Sequence, residues 1–236
     1  VAMGITGTEV SKEAADMVLT DDDFATIVRA VEGGRTIYAN IVQFVRFQLS
    51  TNVGAIITLL GATVTGLPVP FTAIQVLWVN LIMDGPPAMA LGVDPPRARA
   101  MEQPPRAPGE RILTTPRLRQ VVFSGSIMAI GTLGVLAWQL EVGTEQHALD
   151  MAFTTFVFFQ LLNVFNARIE QGTAFPRESL RNGKLWAARA VAAVLQVLWV
   201  WGDLSGTDWA AALAIASSVL LADELRRWVL RRRTRT

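Results

Sequence analysis

One apolar stretch carries a carboxylate and two prolines in its second half, and this combination limits the folds open to the chain. Residues 73–91 are apolar and long enough to cross a bilayer as a helix, since about 20 residues span the hydrocarbon. Within the stretch Asn80 and Asp84 lie four residues apart, so they are predicted to project from one helix face. A carboxylate at this depth is costly unless it faces a partner, an ion or water.

The residues that follow the carboxylate, Gly85-Pro86-Pro87, favour an interrupted helix. Proline cannot donate a backbone hydrogen bond, so we expect the helix to loosen just after Asp84. Irregular backbone at membrane depth is tolerated where it is buried or lines a cavity, as it does at transporter ion sites. The pattern therefore predicts a cation site with oxygen ligands from Asn80 and Asp84. In the alternative interpretation, Asp84 pairs with a neighbouring polar group and serves helix packing.

Apolar runs along the rest of the chain predict a mainly α-helical fold, a polytopic membrane helix bundle with six transmembrane helices. Hydrophobic residues make up 51% of the chain and charged residues only 17%. The predicted spans are 47–61, 73–91, 118–140, 149–167, 186–202 and 208–225. Three polar residues lie near the ends of these spans and are expected at the membrane interface: Gln139, Gln196 and Asp223.

The basic residues indicate how the bundle is oriented in the membrane. All 21 of them lie in alternate connections, namely 1–46, 97–119, 168–189 and 226–235. The intervening loops around 66–71, 141–150 and 202–208 have none, and the last two contain acidic residues. Under the positive-inside rule both termini are predicted to be cytoplasmic. The arginine-rich C-terminal segment is interpreted as an anchor on the lipid bilayer rather than as a nucleic-acid site. The Ala-, Val- and Arg-rich composition favours a bacterial plasma membrane.

The first residues predict a short α/β segment before the membrane helices. A strand at 1–3, a helix at 11–16 and a strand at 17–19 are too few to bury a core, so we expect a missing cytosolic domain upstream. A helix from Phe24 to Gly61 is expected to connect this segment to the first span without a break. The absence of cysteine excludes disulfides and thiolate metal sites.

Several motifs together resemble one known family, the calcium-transporting P-type ATPases, and in particular the secretory-pathway and plasma-membrane calcium pumps. The motifs are MGITGTEV at 3–10, AADMVL at 14–19, DDF at 22–24, FVRFQLSTN at 44–52 and LWVNLIMDGPP at 77–87. The resemblance implies a C-terminal fragment. Its domains would be the end of a haloacid-dehalogenase-like phosphorylation domain at 1–34, the stalk with membrane helices 5 and 6 of the family at 35–110, and helices 7–10 with the basic tail at 111–236.

The resemblance also implies which residues bind the transported ion. Asn80 and Asp84 match the positions that bind the calcium ion shared by the family, and Asn52 and Gln160 would be peripheral supports. The completing glutamate would come from a helix upstream of this sequence. Ala55, Met83 and Gln160 replace ligands of the two-site reticulum pumps, which implies one transported ion per cycle.

The resemblance implies that the phosphorylation chemistry belongs to another part of the protein. The sequence holds no phosphorylation loop and no nucleotide-binding motif, so it offers neither catalytic nor cofactor-binding residues. ATP and Mg²⁺ would act only through missing upstream domains. Mn²⁺ stays open as the cargo, because carboxylate and carbonyl ligands suit it as well as Ca²⁺. A stand-alone six-span protein, either a cation-binding scaffold or a pump regulator, and a secondary transporter also stay open.

Overall fold

The computed structural model describes residues 1–95, 100–102, 104–105, 109–168, 182–200 and 203–233. Within this part of the chain the structure is a bundle of helices preceded by a two-stranded sheet. The prediction of a helical membrane bundle after a short α/β segment is confirmed.

The N-terminal segment has the expected strand–helix–strand order. Strands β1 (Ala2–Met3) and β2 (Val18–Leu19) pair in parallel, and helix α1 (Glu9–Glu13) lies between them in the chain. Helix α1 begins earlier than the predicted 11–16, because the Thr8 side chain caps its first turn by accepting the Ser11 N–H at 3.2 Å.

Helix α2 (Ala25–Thr65) runs without interruption for 41 residues, and this confirms the predicted continuous helix. It ends at Gly66, whose φ of 71° is the left-handed conformation that commonly closes a helix. The division between domains at 34/35 falls inside α2, so no backbone break marks it, and the domain division remains a prediction.

The second predicted span consists of three helical pieces instead of one. Helix α3 (Ala73–Trp78) leads into a π-helical segment (Val79–Asp84), and helix α4 (Gly85–Gly92) follows. The expectation that the helix loosens just after Asp84 is wrong in position, since the wide turn lies before Gly85. The reason is that a proline nitrogen fails to bond a carbonyl one turn earlier, so the irregularity precedes the prolines.

The remaining helices lie at the positions that the apolar runs predict. They are α5 (Thr115–Val142), α6 (Glu145–Arg168), α7 (Gly183–Trp199), α8 (Gly206–Ala216) and α9 (Ser218–Arg233), with one 3₁₀ turn at Ala100–Glu102. Among the described residues, three helices are long and apolar enough to cross a membrane: α2, α5 and α6. The other three predicted spans are also helical where the structure describes them, although α7 has 17 residues and the other two are interrupted. The end of the predicted span 186–202, residues 201 and 202, lies outside the described residues.

The centre of the bundle is α6, which packs against α2, α5, α8 and α9. Its aromatic side chains Phe153, Phe156 and Phe159 are almost fully buried in the largest apolar cluster. Gln139, Gln196 and Asp223 are also buried among the helices, and their depth at the membrane interface stays a prediction. Two of them have polar partners in the bundle: the Gln196 amide donates to the Thr154 hydroxyl at 3.3 Å, and Asp223 accepts from the Gln120 amide at 3.5 Å.

We predict that the contact between α2 and α5 depends on Gly125. A Cβ atom there would lie 2.9 Å from the backbone nitrogen of Gly54, so Gly125→Ala must separate the helices. Overpacking of this kind costs about 1–3 kcal/mol, which should lower the thermal unfolding midpoint in detergent. Gly134→Ala is the matched control in the same helix, because nothing lies within 4 Å of its Cβ position. Equal midpoints for both variants would contradict the predicted contact.

We also predict that Asp22 titrates below its ordinary range. The Ile5 backbone N–H donates to this carboxylate at 2.9 Å and is the main cause that lowers the pKa of Asp22. Ionised Asp22 therefore stabilises the segment above about pH 4, and this stability is lost as the pH falls through the lowered pKa. The NMR amide shifts of Ile5 and Thr6 should show a midpoint below pH 4. Asp22→Asn should abolish the transition, and a midpoint at or above pH 4 would refute the lowered pKa.

Candidate cation site

The carboxylate of Asp84 lies in the interior of the bundle, at the end of the π-helical segment. Its residue is 1% exposed, and its Oδ2 accepts a hydrogen bond from the Thr51 hydroxyl at 3.1 Å. That hydroxyl also lies 3.0 Å from the carbonyl oxygen of Gln48 and 3.3 Å from that of Phe47, so its single hydrogen has three possible acceptors. Within the described part of the chain, Oδ1 of Asp84 has no hydrogen-bond partner. One carboxylate oxygen therefore remains available to a ligand.

Asn80, the second predicted ligand, lies on the surface of the described chain. Its side chain is exposed, and its amide nitrogen donates to the Val76 carbonyl one helical turn earlier at 3.0 Å. The structure therefore places Asp84 inside and Asn80 outside. That the two residues bind one ion together stays a prediction.

The two residues predicted as peripheral supports differ from each other in burial. Gln160 on α6 is 1% exposed, and neither polar atom of its amide has a hydrogen-bond partner among the described residues. Asn52 on α2 is half-buried. A buried amide without partners costs about 1–3 kcal/mol, so Gln160 is the residue of this pair that calls for a polar ligand. No described hydrogen bond joins either residue to Asp84.

Sequence reasoning did not assign the hydroxyl group that contacts the carboxylate. Thr51 contacts Asp84 directly, and its neighbour Ser50 accepts a hydrogen bond from the Asn163 amide at 2.6 Å. A polar cavity lies on the Ser50 side, lined mainly by Arg46, Ser50, Gln120, Ser124, Asn163 and Asn166, and neither Thr51 nor Asp84 lines it. Threonine and serine are common in membrane helices as packing residues, so their sequence positions carried little signal.

The donor set suits a hard cation but does not complete its coordination. Ca²⁺ takes six to eight oxygen ligands, and carboxylate, amide and hydroxyl oxygens all qualify. Within the described residues no group of three or more His, Cys, Asp or Glu side chains could hold a metal ion. Asp84 therefore supplies a single carboxylate, and a full coordination shell would need oxygen atoms beyond those described around it.

Comparison with known proteins identifies relatives of the whole chain. The family described as "Cation transporting ATPase, C-terminus" matches residues 68–229. The chain is 43% identical to calcium-transporting ATPase type 2C member 2 of Mus musculus, over 95% of the chain and 25% of that protein. It is 37% identical to calcium-transporting ATPase 1 of Yarrowia lipolytica, over 99% of the chain and 26% of that protein. It thus spans about a quarter of the length of these relatives.

We predict that the Thr51 hydroxyl stabilises the buried carboxylate. Thr51→Val keeps the shape of the side chain but leaves Asp84 without its described hydrogen bond, at a cost of about 1–3 kcal/mol. Thermal unfolding in detergent measures this loss. Thr58→Val is the control, because Thr58 is a buried threonine of the same helix whose hydroxyl donates only to the Gly54 carbonyl. A smaller loss for Thr51→Val than for Thr58→Val would contradict the role of this contact.

Proposed function

The chain belongs to the cation-transporting ATPase family, and we propose from this premise that it is the membrane transport part of an ATP-driven Ca²⁺ pump. The observation that supports the proposal most is the Asp84 carboxylate, buried in an interrupted helix with one oxygen unpaired among the described residues. An interrupted membrane helix can expose polar groups to an ion at mid-membrane depth. The family and the relatives' names support a pump, and Ca²⁺ comes from those names.

In this proposal Asp84 is the central carboxylate of a single ion site and Asn80 supplies its amide oxygen. The surface position of Asn80 fits a site that another part of the complete protein closes, where the missing glutamate would reach the ion. Gln160 and Asn52 act as peripheral supports, and the unpaired amide of Gln160 favours this role. Met83 and Ala55 offer no charged oxygen, in keeping with one ion per cycle.

The remaining activity of the pump is proposed for the part of the protein that this chain does not include. ATP and Mg²⁺ would act in those upstream domains, with phosphorylation of an aspartate as the covalent step. Helix α2 would transmit the resulting domain movement, since it runs unbroken from the α/β segment to Thr51 and beyond. The lipid bilayer, the transported cation and the upstream part of the pump are the proposed partners.

We further propose that both termini face the cytoplasm of a bacterial cell, with the bundle in its plasma membrane. The orientation rests on the basic residues of alternate connections. The bacterial origin rests on composition, whereas the named relatives come from a mammal and a yeast.

The decisive experiment replaces Asp84 in the complete pump. Asp84→Asn keeps the shape of the side chain and removes its charge, so phosphorylation by ATP in membrane vesicles should no longer depend on Ca²⁺. We expect a loss of at least 100-fold in Ca²⁺-dependent phosphoenzyme, equivalent to about 2.7 kcal/mol. Normal Ca²⁺-dependent phosphorylation would overturn the assignment of Asp84.

A matched control and a second cation make this experiment specific. Asp150→Asn makes the same chemical change on α6, where the carboxylate accepts from Gln146 at 3.1 Å, and it should leave phosphorylation intact. Titrations with Ca²⁺ and Mn²⁺ should show which ion half-saturates phosphorylation at the lower concentration. A response to Mn²⁺ alone would keep the pump and change its cargo. If the unmodified protein responds to neither ion, the pump proposal fails.

A further inference from the structure

A buried ion pair lies where the Asp84-bearing segment ends. Asp94, directly after α4, accepts from the Arg168 guanidinium with both oxygens, from Nε at 2.7 Å and from Nη2 at 2.8 Å. Asn182 donates to the same carboxylate at 2.8 Å and caps the start of α7 through the Leu185 N–H. Asp94, Arg168 and Asn182 are each less than 10% exposed.

Helix α2 joins this cluster through Asn40. The amide nitrogen of Asn40 donates to the Asp94 carbonyl at 2.9 Å and lies 3.3 Å from the Gly92 carbonyl. Carbonyl groups at a helix end lack intrahelical partners, so the Asn40 amide supplies hydrogen bonds to carbonyl groups at the end of α4 and just after it. We call Asn40, Asp94, Arg168 and Asn182 the α4 clamp. It joins α2, α4, α6 and α7 at one end of the bundle.

The α4 clamp and the Thr51–Asp84 bond connect the same two parts of the chain. Asn40 and Thr51 are 11 residues apart on α2, which is about 16 Å at helical rise. Asp84 and Asp94 are 10 residues apart, a similar distance if the rise is helical. The spacing between the two connections is therefore nearly the same along α2 as it is from Asp84 to Asp94. A shift of α4 along α2 would have to break both.

The helix before the clamp does not hold α4 in place by itself. The π-helical segment and the two prolines interrupt the α-helical hydrogen bonds between α3 and α4. Helix α4 has only eight residues, so few helical turns resist a shift of α4 along α2. An Arg–Asp pair in the interior is a poor source of net stability, but it imposes a defined geometry.

We propose that Asn40, Arg168 and Asn182 are positioning residues. They act through Asp94 to fix the position of Asp84 along α2, so that it lies beside Thr51. This inference rests on the proposed function only for its consequence, which is the cation affinity of the pump. The position of the segment is a property of the fold and can be measured separately. The clamp residues touch neither Asp84 nor its proposed ion in the described contacts.

The first test measures backbone hydrogen exchange in the complete protein in detergent. Asn40→Ala should accelerate exchange in residues 79–92 at least fivefold, because the end of α4 loses its tie to α2. Asn166→Ala is the matched control, since Asn166 is another buried asparagine that donates to a carbonyl of a neighbouring helix, Val219 at 3.0 Å. It should leave residues 79–92 unchanged. Unchanged exchange in Asn40→Ala would overturn the proposal, whatever the protein transports.

The second test measures the cation dependence of phosphorylation by ATP in the same variants. Asn40→Ala should raise the half-saturating Ca²⁺ concentration at least fivefold and leave maximal phosphorylation at saturating Ca²⁺ unchanged, because only the position of a ligand changes. Asn166→Ala should change neither quantity. A fall in the maximum with unchanged half-saturation would contradict positioning. If the unmodified protein does not respond to cations, the pump proposal fails, and hydrogen exchange still decides the role of the clamp.

A charge-free version of the clamp separates geometry from general damage. Arg168→Gln alone leaves the Asp94 carboxylate buried without its cation and should raise half-saturation. Asp94→Asn combined with Arg168→Gln removes both charges while amide groups still offer hydrogen bonds, so it should recover at least half of that shift. The combination of Asn40→Ala with Thr51→Val should cost less affinity than the sum of the single changes, since both act on one carboxylate. Additive costs and an absence of recovery would both oppose the proposal.

Discussion

The arrangement of the bundle depends on one costly group, the Asp84 carboxylate, which is buried in the interior of the bundle. Such a group persists only with hydrogen bonds or an ion. Thr51 on α2 supplies one contact, and the second oxygen is unpaired among the described residues. Helix α2 must therefore pass directly beside the π-helical segment. The long helix and the interrupted helix meet at this contact, and in the proposed pump it would couple domain movement to ion binding.

The polar contacts at the end of α4 hold the segment that carries Asp84 in place. An uninterrupted α-helix would hold Asp84 at a defined height through its own hydrogen bonds, but the prolines and the wide turn remove that support. The ion pair of Asp94 with Arg168 and the amide of Asn40 provide an external support instead. Both supports fit the proposed role of this segment, which is to present a ligand and respond to movement of α2.

Sequence reasoning was most successful where one physical property repeats over many residues. Apolar runs located the helices of the bundle, and the absence of a breaker predicted the continuous α2. It failed where the outcome depends on a partner far away in the chain. Asp223 was expected at the membrane interface because it lies near a span end, but it is buried among the helices, where it accepts from the amide of Gln120, 103 residues earlier, at 3.5 Å. The position of the wide turn was missed because the effect of proline appears one turn before the residue itself.

The sequence alone determined that this chain is a membrane helix bundle with a carboxylate in an interrupted span, because hydropathy, basic-residue distribution and proline are local properties. It also singled out Asp84, since a lone acid in an apolar run is costly wherever the run lies. The tertiary structure decided which groups face that acid. Asn80 shares its segment but lies on the surface, whereas Thr51, 33 residues earlier, donates the hydrogen bond. Contacts between distant residues follow from how the helices pack, and no pattern within a single helix records them.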